Sequence, residues 1–314
     1  MKTLKNILFF VLIIPIIIIA LYFFIKNGFL MNEIQLKALK ILFFVMLASC
    51  SYCFIVGEIS RNFSQMDKLW SLMPIVYIWI IASIGGFSIR LIIMGLLVTF
   101  WGIRLTINFG LKGAYKLKFW AGEEDYRWKL LRQKKPLSNK VVWFFFDLLF
   151  ISFYQNFLVF LTVVPGVYAI TDKAINLIDI IAICLMLGFI LLEMLSDINQ
   201  YKFHSKKKEL LASGKALDEI DSPYNLGFNT TGIWNHMRHP NYLGEQGTWV
   251  SFYLFSVATA PNWFNPTIIG PLLLILLFFA SSNLQEKISK TKYPLYDDYC
   301  NKVFKYLPIH KYRY

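Results

Sequence analysis

Read for hydrophobic and polar positions, the chain is a series of long apolar runs broken by short, mostly basic interruptions. The stretch from Ile7 to Ile25 is almost uninterrupted, and that from Pro271 to Ala280 has no polar side-chain atom. Apolar runs of about eighteen residues or more read as membrane-crossing helices. The pattern predicts eight helices, at roughly 7–26, 38–58, 70–84, 88–111, 141–168, 176–196, 242–260 and 266–284, with seven as the lower count. Gly85-Gly86 predicts a tight hairpin between the third and fourth. No strand-period alternation persists and no internal repeat is visible. The expected fold is all-α, a polytopic integral membrane helical bundle. The first run starts with Lys2 and Lys5, as a signal peptide would. It is too long for such a segment's apolar core and lacks a small-x-small cleavage site, so it reads as a retained helix.

Composition strengthens this picture. Of 314 residues, 57% are hydrophobic and 16% charged, against roughly a quarter charged in soluble domains. The net charge of +13 would suit a nucleic-acid partner, but it lies in membrane-flanking loops with no nucleic-acid module between them. It reads instead as a topology signal. Nine Lys and Arg residues fall in 112–140, and 197–240 and the tail after Glu286 are also rich in them. The turns near Asp172-Lys173 and Pro261-Asn262 hold almost none. With eight helices, the basic regions and both termini fall on the cytoplasmic side. Arg90 and Arg104, inside the fourth helix, do not fit the simple rule. Cys50-Ser-Tyr-Cys53 has metal or redox spacing, but it sits in an apolar helix without a second ligand pair and reads as buried thiols. No metal site is expected.

The chemistry concentrates in two stretches. Trp234–Glu245 packs Trp234, Arg238, His239, Asn241, Tyr242 and Glu245 into twelve residues just before an apolar run. Desolvating so many polar groups is costly unless they bind something. Arg238 offers a forked donor for a phosphate or carboxylate, and Asn241 and Tyr242 suit ring amides or a ribose. Glu245 would pair with Arg238 or accept from a ribose. A helix-capping cluster with a snorkelling arginine is the plain alternative. The second stretch, Asp197–His204, ends the sixth helix. At 100° per residue Asp197 and Tyr201 share one face, and Asn199, Lys202 and Phe203 another. Such a face is either solvated or built for ribose, amide and phosphate groups. Lys206-Lys207-Lys208 beyond it reads as a lipid-headgroup anchor.

Arg238-His239-Pro240-Asn241-Tyr242-x-Gly244-Glu245, preceded by Asp197…Asn199-Gln200-x-Lys202-Phe203 and followed by Glu286…Tyr296-x-x-Tyr299…Pro308, resembles the C-terminal domain of steroid 5α-reductases and sterol reductases. Upstream, Asn62-Phe-Ser64-x-x-Asp67-x-Leu-Trp70, Trp101-Gly-Ile-Arg104-Leu and Glu123-Glu124-Asp125-Tyr126-Arg127-Trp128 resemble a bacterial membrane branch of that superfamily. The resemblance divides the chain into N-terminal helices (1–60) and a reductase-like domain with a cytosolic cofactor pocket (61–314). It implies an NADPH-dependent reductase of an enone or olefin in a lipophilic, steroid-like or isoprenoid substrate, in the bacterial inner membrane. No partner beyond that substrate and membrane lipids is implied. By the same resemblance, Asp197, Asn199, Lys202, Trp234, Arg238, His239, Asn241, Tyr242 and Glu245 line or support the NADPH pocket. The chain has no Gly-x-Gly-x-x-Gly turn, so a Rossmann cradle is not expected. The proton donor is expected in the N-terminal half, with Tyr126 beside Glu123 or Glu124, or Tyr115, as candidates and Asp67 with Arg104 as a supporting pair. The same Arg-His-Pro-x-Tyr-x-Gly signature occurs in isoprenylcysteine carboxyl methyltransferases, which bind S-adenosylmethionine. That is the rival reading, and the Asp197–Phe203 cluster favours reduction. A transporter is the second alternative, but inverted repeats are lacking. Four histidines exclude a di-iron desaturase.

Overall fold

The computed structural model describes residues 31–259 and 263–308. The helix expected at 7–26 lies outside the described residues. In chain order the helices are α1 (Glu33–Ser60), α2 (Gln65–Leu69), α3 (Leu72–Ile84), α4 (Ile89–Leu111), α5 (Tyr126–Arg132), α6 (Lys140–Tyr168), α7 (Leu177–Ala212), α8 (Pro240–Thr259), α9 (Ile269–Lys292) and α10 (Tyr296–Lys302). No strand occurs among the described residues. Five segments are long and apolar enough to cross a bilayer: α1, α4, α6, α7 and Pro266–Lys292, which contains α9. The chain is an all-α, polytopic membrane protein.

Local chemistry explains the boundaries. Asn32 and Gln35 form a reciprocal capping box that starts α1, and Arg61, in the left-handed region at φ 55°, ends it. The α3–α4 hairpin turns at Gly85-Gly86 as expected. Gly86 has φ 66°, and a β-carbon on Gly85 would come within 2.3 Å of Leu91 Cδ1. With thirteen residues α3 is about 20 Å long, short of the roughly 30 Å hydrocarbon core. Within α6 a π-helical stretch, Asp147–Tyr154, widens the turn. It brings Ser152 Oγ to within 3.3 Å of Asp147 Oδ1.

Two elements differ from expectation. The sequence predicts that α7 ends at 196, yet it runs to Ala212, because no Gly or Pro occurs between 197 and Ser213. At about 54 Å it is too long for the bilayer alone, so its last turns stand in the aqueous phase. The sequence also predicts a membrane helix at 242–260. The helix is present as α8, but Asn241, Glu245, Gln246 and several hydroxyls keep it out of the apolar set. Those of its polar residues that matter for packing point inward: Glu245, Thr248, Ser251 and Ser256 are buried.

The chain divides into two compact units. One comprises 1–183 and 250–274, the other 184–249 and 275–314. The first is organised around α1, α3, α4 and α6, with Phe63, Trp128, Trp143 and Ile151 as one buried cluster. A buried ion pair fastens it: Arg90 Nε and Nη2 reach the two Asp179 carboxylate oxygens at 2.8 and 2.9 Å. Arg90 also donates to the Lys173 and Ala174 carbonyls, so this intrahelical arginine is a fully satisfied structural clamp. The second unit is centred on Phe228, Tyr293, Tyr296, Tyr299 and Val303.

Candidate functional site

All nine residues singled out for a cofactor lie in the second unit. Three come from the part of α7 that follows Glu193. There Asp197 is buried and Asn199 half-buried, while Tyr201 and Lys202 are exposed. Phe203 does not share the exposure of Lys202. It is buried and stacks on Tyr224 with ring centroids 5.2 Å apart.

The loop between α7 and α8 closes onto this face. Trp234 Nε1 donates to the Ser196 carbonyl at 3.0 Å. Gly232 adopts φ 57°, and a β-carbon there would fall 2.1 Å from Asn199 Oδ1, so only glycine lets the backbone approach that amide. Lys207 donates to the Gly227 carbonyl at 2.6 Å and thus holds the loop rather than standing free as a headgroup anchor. At the start of α8, Asn241 Nδ2 donates to Asp197 Oδ1 at 3.2 Å. This bond joins the two stretches that the sequence singled out separately.

The Arg238–Glu245 motif divides its work between two faces. Arg238 does not pair with Glu245. Its Nε donates to Glu286 Oε1 at 2.8 Å, and its Nη1 to the carbonyls of Cys300 (2.9 Å) and Val303. His239 is buried, with Nε2 3.0 Å from the same Glu286 oxygen, and its ring stacks on Tyr242. Lys305 Nζ lies 3.4 Å from Glu286 Oε2. Glu286 is therefore a hub for three basic groups. Burial holds the His239 imidazole below its usual range; the Glu286 carboxylate opposes that shift, and Lys305 and Arg238 add smaller contributions to it. Neutral His239 donates to Glu286 through Nε2–H. Tyr242 accepts from Gln285 Nε2, and Glu245 accepts from Trp249 Nε1 at 3.2 Å.

The tail makes this support possible. By sequence, the stretch from Glu286 to Pro308 suits an amphipathic cytosolic helix ending at the proline, but α10 stops at Lys302. Val303 is extended, and the Phe304 and Lys305 carbonyls accept from the backbone N–H groups of Arg238 and His239, each at 3.0 Å. Two backbone bonds and the Arg238 fork replace further helical turns. Tyr299 also donates to the Trp234 carbonyl. Glu286, Lys305 and Tyr299 carry the site's framework. For Glu286 and Tyr299 the sequence signal is the Glu286…Tyr296-x-x-Tyr299 tail, whereas Lys305 has none; the partners of Glu286 and Tyr299 in the Trp234–Glu245 stretch lie 47–65 residues away.

The residues present suit a polar ligand rich in amides and hydroxyls. Gln200 Oε1, Asn229 Nδ2 and Asn235 Oδ1 are buried with no hydrogen-bond partner among the described residues. They bracket Asn199 and Trp234 in sequence, and such orphaned groups call for an explanation, a bound molecule among them. Lys202, two residues after Gln200, is an exposed cation on the same helix.

The catalytic candidates Tyr126, Glu124 and Tyr115 belong to the first unit. Glu124 accepts from the Phe63 N–H at 3.0 Å and from Arg132. The Tyr115 hydroxyl donates to the Lys68 carbonyl at 2.8 Å, and burial raises its pKa above the ordinary tyrosine value. Tyr126 is half-exposed at the start of α5. Asp67 accepts from Trp128 Nε1 at 2.8 Å and lies 3.7 Å from Arg127, so the Asn62–Trp70 and Glu123–Trp128 motifs meet at this carboxylate. Burial raises the Asp67 carboxyl and the Arg127 guanidinium opposes that shift.

A family model described as a protein of unknown function, DUF1295, matches residues 53–303. The Uncharacterized protein C594.04c of Schizosaccharomyces pombe is 35% identical over 277 residues, covering 81% of this chain and 77% of that protein. No solved structure matches.

Proposed function

Because the chain belongs to the DUF1295 family, a steroid 5α-reductase-like family, we propose that it is a membrane-embedded, NADPH-dependent reductase acting on a carbon–carbon double bond of a lipophilic enone. One observation carries this reading. The Asn241–Asp197 bond fuses the Asp197–Phe203 cluster with the Arg-His-Pro-Asn-Tyr motif, and that cluster is the feature that separates the reductase pattern from the methyltransferase one.

Asp197, Asn199 and Asn241 would meet the ribose and amide groups, and Lys202 the phosphate that distinguishes NADPH from NADH. Trp234, Arg238, His239, Tyr242 and Glu245 would act behind them by holding loop, tail and α8 in register. When bound, NADPH supplies hydride. The chain must supply the proton to the adjoining carbon. Of the candidates Tyr126, Glu124 and Tyr115, the Tyr126 hydroxyl would be the donor. The basic loops and both termini would face the cytoplasm by the positive-inside rule.

Thermal shift in detergent with NADPH and with S-adenosylmethionine tests the assignment. NADPH should raise the midpoint, and Asn241→Ala should abolish the rise. Stabilisation by S-adenosylmethionine alone would replace the reductase reading with the methyltransferase one. Lys202→Ala should weaken NADPH more than NADH, and equal losses would remove its phosphate role.

A further inference from the structure

Directly after α4 leaves the membrane at Leu111, the chain forms a closed loop from Gly113 to Glu123. Its neck is shut by the Glu123 N–H donating to the Gly113 carbonyl at 3.0 Å. Gly122, at φ 112°, permits this closure, because a β-carbon there would fall 2.1 Å from the Ala114 carbonyl oxygen. The backbone is pinned from below by side chains of the 62–68 segment. Lys68 Nζ donates to the Phe119 and Ala121 carbonyls at 2.9 and 2.6 Å, Gln65 to the Trp120 carbonyl and Asn62 to the Gly122 carbonyl, each at 3.0 Å. Lys68 is itself fully buried to do this.

Such a framework fixes which side chains face outward. Phe119 packs inward beside Tyr115, with ring centroids 5.8 Å apart. Leu117 is completely exposed and Trp120 is 50% exposed. Lys112, Lys116 and Lys118 surround them and are exposed as well. A flexible loop could hide two large apolar side chains by folding back, but this one is tied down with both displayed. A rigid apolar tip set among lysines, in a loop that starts two residues beyond a helix long and apolar enough to cross a membrane, is complementary to an anionic headgroup layer.

We propose that the Gly113–Glu123 loop is a membrane-interface anchor, with Leu117 and Trp120 inserted among the headgroups and its lysines facing anionic lipid. This role is independent of the reaction the protein carries out.

The test uses the full chain in single-copy nanodiscs, with an environment-sensitive fluorophore on Leu117→Cys or, separately, Trp120→Cys, in a background whose four native cysteines are replaced. Discs contain phosphatidylcholine alone or mixed with phosphatidylglycerol. Ser213→Cys, at the aqueous end of α7, is the solvent-exposed reference. The loop probes should be quenched by shallow spin-labelled lipids and shielded from aqueous iodide, while the Ser213 probe shows the reverse. Phosphatidylglycerol should deepen the lipid quenching. Each of Lys112→Gln, Lys116→Gln and Lys118→Gln should reduce that anionic-lipid preference about fivefold. Loop probes as iodide-accessible as Ser213 would overturn the proposal. So would a blue shift that appears only when discs carry two copies, because the surface would then be an interface between chains.

Discussion

Glu286→Gln is the sharpest perturbation of the candidate site. The carboxylate receives Arg238 Nε at 2.8 Å, His239 Nε2 at 3.0 Å and Lys305 at 3.4 Å, and its side chain is only 11% exposed. The substitution is nearly isosteric, so cavity terms are small. It removes the negative charge facing two permanent cations and puts an amide NH₂ where an acceptor stood. A hydrogen bond to a charged group contributes about 1.5–3 kcal/mol, and breaking a buried pair one-sidedly costs about 3–5 kcal/mol. Glutamine retains one acceptor oxygen, so a loss of about 3 kcal/mol is expected for the second unit. At about 2–4 °C per kcal/mol, the midpoint should fall about 6–12 °C. Thermal denaturation followed by tryptophan fluorescence in detergent measures it. Arg238→Ala with Glu286→Ala in a double-mutant cycle should show coupling of at least about 1 kcal/mol. A midpoint within about 2 °C of wild type and no coupling would refute the hub.

Other outcomes follow from the same geometry. His239 is held neutral, with its ionisation below the usual value of 6.5. The unfolded chain therefore binds the extra proton first, so stability is intact above pH 6.5 and declines as pH falls toward the lowered folded value. His239→Gln should flatten that part of the midpoint-against-pH curve. Gly244→Ala places a β-carbon 2.6 Å from Glu193 Cβ and 2.9 Å from its backbone, so α7 and α8 must separate. It should lower stability by about 1–3 kcal/mol in denaturant or thermal unfolding. Gly232→Ala would drive a methyl into Asn199 Oδ1 and strain a left-handed residue. NADPH affinity should drop at least tenfold in a fluorescence titration, while the effect on the midpoint stays near about 1 kcal/mol.

The sequence displays the apolar helices clearly because each of α1, α4, α6 and α9 must hide its backbone from lipid within one segment. The Gly85-Gly86 hairpin was equally legible, since the turn needs residues without a β-carbon. The aqueous half of α7 was not. Asp197–Lys208 reads as a polar break, although nothing in it stops a helix before Gly214. In the site, the two polar stretches stand out by density alone, and Asn241 bonds to Asp197 between them. The division of labour within the motif was invisible. Arg238 has suitable carboxylates at Glu245, seven residues away, and at Glu286, and spacing favours the nearer one. Only the extended tail at Val303–Lys305 decides for Glu286. Glu123–Trp128 reads as chemistry by its density of charge, and its contacts to the 62–68 segment, Glu124 with the Phe63 N–H and Trp128 with Asp67, were not legible in the spacing.

The central claim is hydride delivery to a membrane lipid, and labelled cofactor tests it most directly. The purified protein is reconstituted with total lipid extract of its host and given NADPH carrying deuterium at the transferable position. The account predicts a lipid that gains one deuterium from the cofactor and one proton from water across a former double bond. Tyr126→Phe should strongly reduce that product. Absence of deuterium from every lipid, with methyl label entering lipid from S-adenosylmethionine instead, would contradict it.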